Sequence, residues 1–161
     1  MLKLTKRAEY GLVALVHLTD HAGDVVSARE ISEHYHLPHR LVGEALKDLC
    51  RAGHLHSVRG AAGGYRLARP AGRLTVGDAI AAIEGAPPLT DCDARALVDL
   101  GFESLADCDV ESPCPIRSPL HRIQEDIWRQ FQHTTLRELA APDFTLIPHE
   151  RSRKAALSTS A

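Results

Sequence analysis

The chain has 161 residues, a formal net charge of −2, 44% hydrophobic residues and 25% charged residues, a composition that suits one globular domain with an appendage. No apolar run approaches the roughly 18–20 residues of a membrane span, and no apolar core of a secretory signal follows Met1–Arg7. A cytoplasmic chain is therefore expected, with cysteines serving as ligands or core residues and not as disulfides.

Thr5 to Asp20 is expected to form the first helix, with Thr5 as its cap and Leu12, Val13, Leu15, Val16 and Leu18 as its apolar surface. Ser27-Ala28-Arg29-Glu30 has the spacing of a capping box, with Val26 and Ile31 placed as a hydrophobic staple. A short second helix runs from there to about His34, and Tyr35-His36-Leu37-Pro38 is a turn. The third helix spans roughly His39 to Ala52 and stops at Gly53. Val42, Ala45, Leu46, Leu49 and Cys50 form its packing stripe. Arg40, Gly43, Glu44, Lys47 and Arg51 form the opposite, outward stripe. Two helices joined by a tight turn, the second with such a face, describe a helix-turn-helix.

A hairpin follows, with strands at His54–Val58 and Tyr65–Ala68 around a turn at Arg59–Gly64. It is the wing of a winged helix. Thr75 and Asp78 cap a further short helix that Gly85 closes, and Pro87-Pro88 ends this domain. Pro119 to about Thr134 forms a helix with Leu120, Ile123, Ile127, Trp128 and Phe131 on one face. That stripe has little in the chain to cover it apart from the first helix, which points to a dimerisation helix. A short helix near Leu136–Ala140 comes next, and the residues after Pro148 are small and polar, as in a disordered tail.

The expected architecture is mostly α. Residues 1–86 form a winged helix-turn-helix DNA-binding domain, 87–118 a cysteine loop, 119–140 a dimerisation helix region and 141–161 a flexible tail.

Charge is unevenly distributed. His36 to Arg73 carries seven Lys/Arg against two acids, whereas Asp91 to Pro115 carries seven acids against Arg95 alone. The first stretch is a candidate surface for double-stranded DNA, and the second would repel phosphates. On the third helix His39, Arg40, Gly43, Glu44, Lys47 and Arg51 are the candidate contacts, since Arg favours guanine in the major groove. At the wing tip Arg59 and Gly60 can approach a narrow minor groove. Glu44 is repelled by phosphates unless it accepts from a cytosine amine, so it would act as a selector.

Cys92, Cys108 and Cys114 fall in the acidic, loop-rich stretch. Three thiols cannot pair off as disulfides, and thiolates suit zinc or an iron–sulfur cluster. Structural zinc favours closer knuckles than the C-x5-C and the fifteen-residue gap found here, so the spacing fits a bulkier cluster better. Cys50, on the packed stripe, is expected in the core. No nucleophile–base constellation, phosphate loop or carboxylate pair supports catalysis, so neither enzymatic activity nor a small-molecule substrate is expected.

Leu4-Thr5-Lys6 with Glu9-Tyr10, Ser57-Val58-Arg59-Gly60-Ala61-Ala62-Gly63-Gly64-Tyr65, Ile83-Glu84-Gly85 and three cysteines before a long helix follow one pattern. The chain resembles the winged-helix iron–sulfur regulators of bacteria, the group of the Isc cluster-assembly regulator and the nitric-oxide-sensing repressor. The similarity spans about residues 1 to 140. Its Leu-Thr-Asp-Cys lead-in is similar to the branch that regulates Suf-type assembly. The resemblance implies a homodimer with crossing long helices and one cluster per subunit, held by Cys92, Cys108 and Cys114. A fourth ligand varies among such regulators. Glu9 occupies the place of an acid donated by the other subunit. Arg117 stands where the Isc member has a histidine, which removes that option. His34 and His36 flank Tyr35, which aligns with a histidine ligand of a redox-sensing member.

Together these features imply a DNA-binding regulator that senses redox, nitric oxide or iron–sulfur status, with [2Fe–2S] favoured over [4Fe–4S]. The rival readings are a zinc-stabilised winged-helix regulator, an iron–sulfur electron carrier or enzyme subunit, and a protein-interaction adaptor.

Overall fold

Thr5 starts the first helix, α1 (Lys6–Asp20), by accepting a hydrogen bond from the Ala8 amide at 3.2 Å. The computed structural model describes residues 4–60, 62–85 and 115–143. Cys92, Cys108, Cys114 and the tail beyond residue 143 lie outside the described residues. The buried face of α1 is built from Ala8, Gly11, Ala14, Leu15, His17 and Leu18. Leu12, Val13 and Val16, expected on that face, are half-buried along its flanks. Small residues take the centre because neighbouring helices come close there. A Cβ on Gly11 would stand 2.4 Å from Ile83 Cδ1 and 3.3 Å from Ala45 Cβ.

The second helix, α2 (Ala28–His34), begins at Ser27, whose hydroxyl accepts from the Glu30 amide at 3.1 Å. Val26 and Ile31 are both buried in the core, as a staple requires. The expected capping box is only half formed, since the Glu30 side chain is exposed and does not return to Ser27. The Ser27 amide is faced instead by the wing, where a Cβ on Gly64 would come within 2.9 Å of it. The third helix, α3 (His39–Arg51), buries Val42, Ala45, Leu46 and Leu49. Cys50 is half-buried against the same core, and burial pushes its thiol pKa up.

Strands β1 (Leu55–Val58) and β2 (Gly64–Leu67) pair antiparallel, with Leu55 opposite Leu67 and Val58 opposite Gly64. Gly64 is thus the first residue of the strand and not the last of the turn. Val26 adds a third, single-residue strand, exchanging backbone bonds with Tyr65 at 3.0 and 2.8 Å. This bridge, invisible to periodicity, ties the entrance of the helix-turn-helix to the wing.

Helix α4 (Val76–Glu84) opens with a complete Thr75/Asp78 capping box and closes at Gly85, φ 78°. A single 3-10 turn at Ala71–Arg73 precedes it. Helix α5 spans Arg117–His133 and α6 Leu136–Leu139. The start of α5 falls two residues ahead of Pro119, because proline in a first turn has no intrahelical N–H partner to lose. α6 carries a second capping box, Thr135/Glu138. The two boxes meet back to back. The Val76 amide donates to Thr134 O and the Leu136 amide to Leu74 O, both at 2.8 Å. Leu136 is fully buried in the same cluster as Leu15, Leu46 and Leu74, so the chain after α5 closes onto the winged helix. Among the described residues, no helix is long and apolar enough to cross a membrane.

Candidate nucleic-acid interface

The hydrophobic face of α3 decides which residues it shows outward. With Val42, Ala45, Leu46 and Leu49 buried, the helical period leaves Arg40, Gly43, Glu44, Lys47 and Arg51 on the opposite side. His39, Arg40, Lys47 and Arg51 are exposed. Among the described residues nothing beyond the helix's own neighbouring backbone crowds the place of a Gly43 Cβ, so the helix surface is flat there and its backbone can approach a groove. An open groove of about 440 Å³, lined by Arg29, Ser32, Glu33, Leu37 and His39, flanks the start of α3.

The charges on this face are already organised. Arg40 donates to Glu44 at 2.9 Å, with the arginine 86% exposed. That bond to Arg40 holds the Glu44 carboxyl below its ordinary value and raises the Arg40 guanidinium above its own. Arg51 pairs in the same way with Asp48, one turn back. The sequence offered three cations here, and the fold neutralises two of them in the free protein. Both pairs are solvent-exposed on the arginine side and hold little energy of their own, so a phosphate or base edge can exchange for the carboxylate.

The wing places Arg59 and Gly60 at an exposed tip, with Gly60 at φ 117°, a conformation open to glycine. Arg66, exposed on β2 opposite His56, adds a cation to the wing. Its charge belongs to the basic stretch His36–Arg73, and the alternation of the strand is the sequence signal that turns it outward.

The candidate ligands are distributed differently. Glu9 is half-buried on the first turns of α1 and pairs with Lys6. His34 ends α2, its ring centroid 5.2 Å from His17 and 4.5 Å from Tyr35. His36 is exposed in the turn at φ 53°. His17 is eight residues beyond Glu9, about 12 Å along α1, so Glu9 and His34 belong to separate parts of one subunit. Among the described residues, no group of three or more His, Cys, Asp or Glu side chains is arranged to hold a metal ion.

His17 is buried beside His21, stacked at 4.2 Å, and its Nδ1 meets the Tyr35 hydroxyl at 3.2 Å. Its Nε2 is buried with no hydrogen-bond partner among the described residues. Burial, followed by the His21 and His34 rings, lowers its pKa. His54 is also lowered, by burial first and then by Arg69. Arg69 Nη2 approaches His54 Nδ1 at 2.8 Å, and since a guanidinium can only donate, that nitrogen accepts.

A helix-turn-helix whose second helix shows a basic face, followed by a β-hairpin wing, defines a winged-helix DNA-binding regulator. Residues 4–142 match the Rrf2 family, described as iron-dependent transcriptional regulators, and the chain belongs to that family. Solved structures agree. It is similar to CymR of B. subtilis, the global cysteine regulator of that organism, at 26% identity over 87% of this chain and 97% of that one (TM-score 0.67). It is similar to the oxidized form of Staphylococcus aureus CymR at 27% identity over 89% and 100% (TM-score 0.66). T. potens IscR matches at 25% identity over 99% and 92% (TM-score 0.61). The family is one of transcriptional regulators and not of enzymes.

Proposed function

We infer that this chain is a cytoplasmic, homodimeric transcriptional regulator that reports redox, nitric-oxide or iron–sulfur status to a DNA operator. The observation that carries the reading is the pairing of an outward basic recognition helix with a glycine-tipped wing in a chain that also brings three cysteines. His39, Arg40, Gly43, Glu44, Lys47 and Arg51 face the major groove, and Arg59 and Gly60 reach the neighbouring backbone or minor groove. The exposed apolar face of α5, with Ile123 49% exposed, meets its counterpart in a second copy. Boundaries follow: 1–86 binds DNA, 87–118 holds the cofactor, 119–140 joins the subunits and 141–161 is a tail.

Cys92, Cys108 and Cys114, with Glu9 of the other subunit, would hold an iron–sulfur cluster, [2Fe–2S] in preference to [4Fe–4S]. The donor set fits such a group. Three soft thiolates bind iron firmly, and among the described residues the half-buried Glu9 carboxylate is paired with the exposed Lys6. When bound, the cluster supplies a centre that oxidants, nitric oxide or iron shortage can alter. Glu9 must exchange Lys6 for its ligand bond. It stands one turn from the cap of α1, and α1 packs along α3, so tension at Glu9 bears on the recognition helix. In a dimer that reads two half-sites about one DNA turn apart, a small shift of α3 changes operator affinity. His34 and His36 are the alternative fourth ligands.

The reading is tested on protein purified without oxygen, by determining iron, acid-labile sulfide and zinc per chain alongside a visible spectrum. Near-equal iron and sulfide with visible charge-transfer bands is the expected result. Zinc near one per chain without sulfide, even after attempted reconstitution, would overturn it in favour of a zinc-stabilised regulator. Clusters without salt-dependent DNA binding would favour an electron carrier.

A further inference from the structure

Two helix ends cap each other where α1 meets α4. The Thr5 amide donates to Glu84 Oε2 at 3.1 Å, and the Thr5 hydroxyl donates to the same oxygen. In a capping box the return bond comes from the third residue of the helix itself. Here that residue is Ala8, which has no acceptor, and a glutamate 79 residues away in sequence supplies the bond. In return Arg7 Nη2 donates to Ile83 O at 2.6 Å, satisfying a carbonyl that the end of α4 would otherwise leave open.

Helix energetics alone gives no reason for Glu84. As the last residue of α4, its carboxylate sits at the negative end of its own helix and gains only from the positive end of α1. Its second oxygen, Oε1, is buried with no hydrogen-bond partner among the described residues. Arg7 makes a further contact, 3.7 Å to Asp48 of α3, and Asp48 pairs with Arg51 on the DNA-facing side. Beside this polar chain, Ile83 fills the notch left by Gly11, next to Ala45. Helices α1, α3 and α4 therefore converge at one joint, at the last turn of α4.

We propose that Arg7 and Glu84 are positioning residues for DNA recognition. The reciprocal cap fixes the start of α1 to the end of α4, and Arg7 transfers that position through Asp48 to α3 and its Arg51. Glu84 carries the wrong charge to bind phosphate, so its effect on DNA is indirect. The proposal rests on the DNA-binding reading and names two residues outside the face that reading uses.

The test uses full-length protein. Wild type first enriches a duplex from a random-sequence library. Affinities of wild type, Glu84→Met, which removes the acceptor, Arg7→Met and the double variant are then measured for that duplex and a scrambled one, across salt, at a temperature where circular dichroism shows each folded. Glu84→Asp, which shortens the side chain and keeps the charge, replaces Glu84→Met should that variant be unfolded. The expected result is a loss of about tenfold on the enriched duplex, of the size of typical couplings between sites. Affinity for the scrambled duplex and the salt slope stay at wild-type values. The double variant loses less than the product of the single losses, because the cap acts as a unit. Wild-type affinity of Glu84→Met for the enriched duplex overturns the proposal, as does an equal loss on both duplexes. A salt slope lowered by about one in Arg7→Met would make Arg7 a direct phosphate contact and also overturn it. A wild type that enriches no duplex overturns the DNA-binding reading, and the proposal with it.

Discussion

Arg40 donates to Glu44 at 2.9 Å across one turn of α3, so the free helix presents a closed ion pair on the face proposed to meet DNA. On that reading, opening the pair is part of binding. Its cost depends on what the groove offers Glu44 in exchange, and a base amine, that of cytosine above all, is the group that suits a carboxylate.

Glu44→Ala should therefore bind DNA more tightly and less selectively. The salt slope of non-specific binding rises by about one as Arg40 is freed, and discrimination at one base pair falls by about 1–3 kcal/mol. Fluorescence anisotropy across a salt series, with single-base variants of the operator, reads both. An unchanged slope together with unchanged base preference would remove Glu44 from the interface.

Gly64→Ala should be the more damaging of two glycine substitutions. Its Cβ would meet Val26 O at 2.4 Å, and that atom is backbone, whereas a Cβ on Gly11 meets the movable tip of Ile83. Gly11→Ala costs about 1–3 kcal/mol as an overpacked core, and Gly11→Ala with Ile83→Val recovers part of it. Gly64→Ala costs more and detaches the wing from Val26. Urea midpoints rank the three variants, and Gly64→Ala matching wild type would refute the close approach.

Stability should fall on mild acidification. His17 and His54 have lowered pKa values in the fold, through burial first in each case. The unfolded chain thus binds protons that the folded chain resists. The stability is fully present above the unfolded value near 6.5 and is lost as the pH falls through the lower folded values. Around His17, the His21 and His34 rings act in the same direction, while Glu30 and Asp20 oppose them. Around His54, Arg69 acts with burial and Asp78 against it. Chemical denaturation from about pH 7.5 to 5.5 should show the decline, and His17→Leu should flatten its own share. A constant midpoint in wild type would contradict the burial of both rings.

Ile123→Glu should yield monomer without unfolding. Ile123 is 49% exposed in the single chain, so the substitution places a charge in water unless a second copy covers the site. Sedimentation velocity is the direct measurement. A persistent dimer with wild-type affinity would move the subunit contact elsewhere.

His36→Gly separates a backbone role from a ligand role. His36 has φ 53° in the helix-turn-helix turn, where a side chain costs about 1 kcal/mol and glycine does not. The variant should be as stable as wild type or more so, with cluster content unchanged if Glu9 is the fourth ligand. Loss of cluster in this variant alone would transfer the ligand role to His36.

Much of the fold was legible because local chemistry announced it. Thr5, Ser27 and Thr75 cap where their spacing said they would, and the apolar stripe of α3 alone determined its outward face. What was not legible depended on pairs distant in sequence. Val26 pairing with Tyr65, Thr75 meeting Thr135 and Glu84 capping Thr5 leave no periodic trace, since each is settled only when the helices pack. The burial of Ala8, Gly11 and Ala14 was missed for the same reason, because small residues carry a weak hydrophobic signal and matter only where another helix approaches. At the interface the residue types were readable, but the Arg40–Glu44 and Arg51–Asp48 pairings emerged only from side-chain geometry.

The tie between Thr75 and Thr135 has a mechanical consequence. Gly77 near the start of α4 packs on Gln132 near the end of α5, so both helices run away from that tie. With 9 residues in α4 and 17 in α5, α5 outruns its neighbour by about 12 Å. It is clamped at its C-terminal end by two capping boxes, and among the described residues Ile123 in its first half and Ile116 just ahead of it are exposed. A beam held in this way converts a slight tilt at the clamp into a large sweep at the tip. Whatever grips the tip works on the winged helix with the same leverage in reverse.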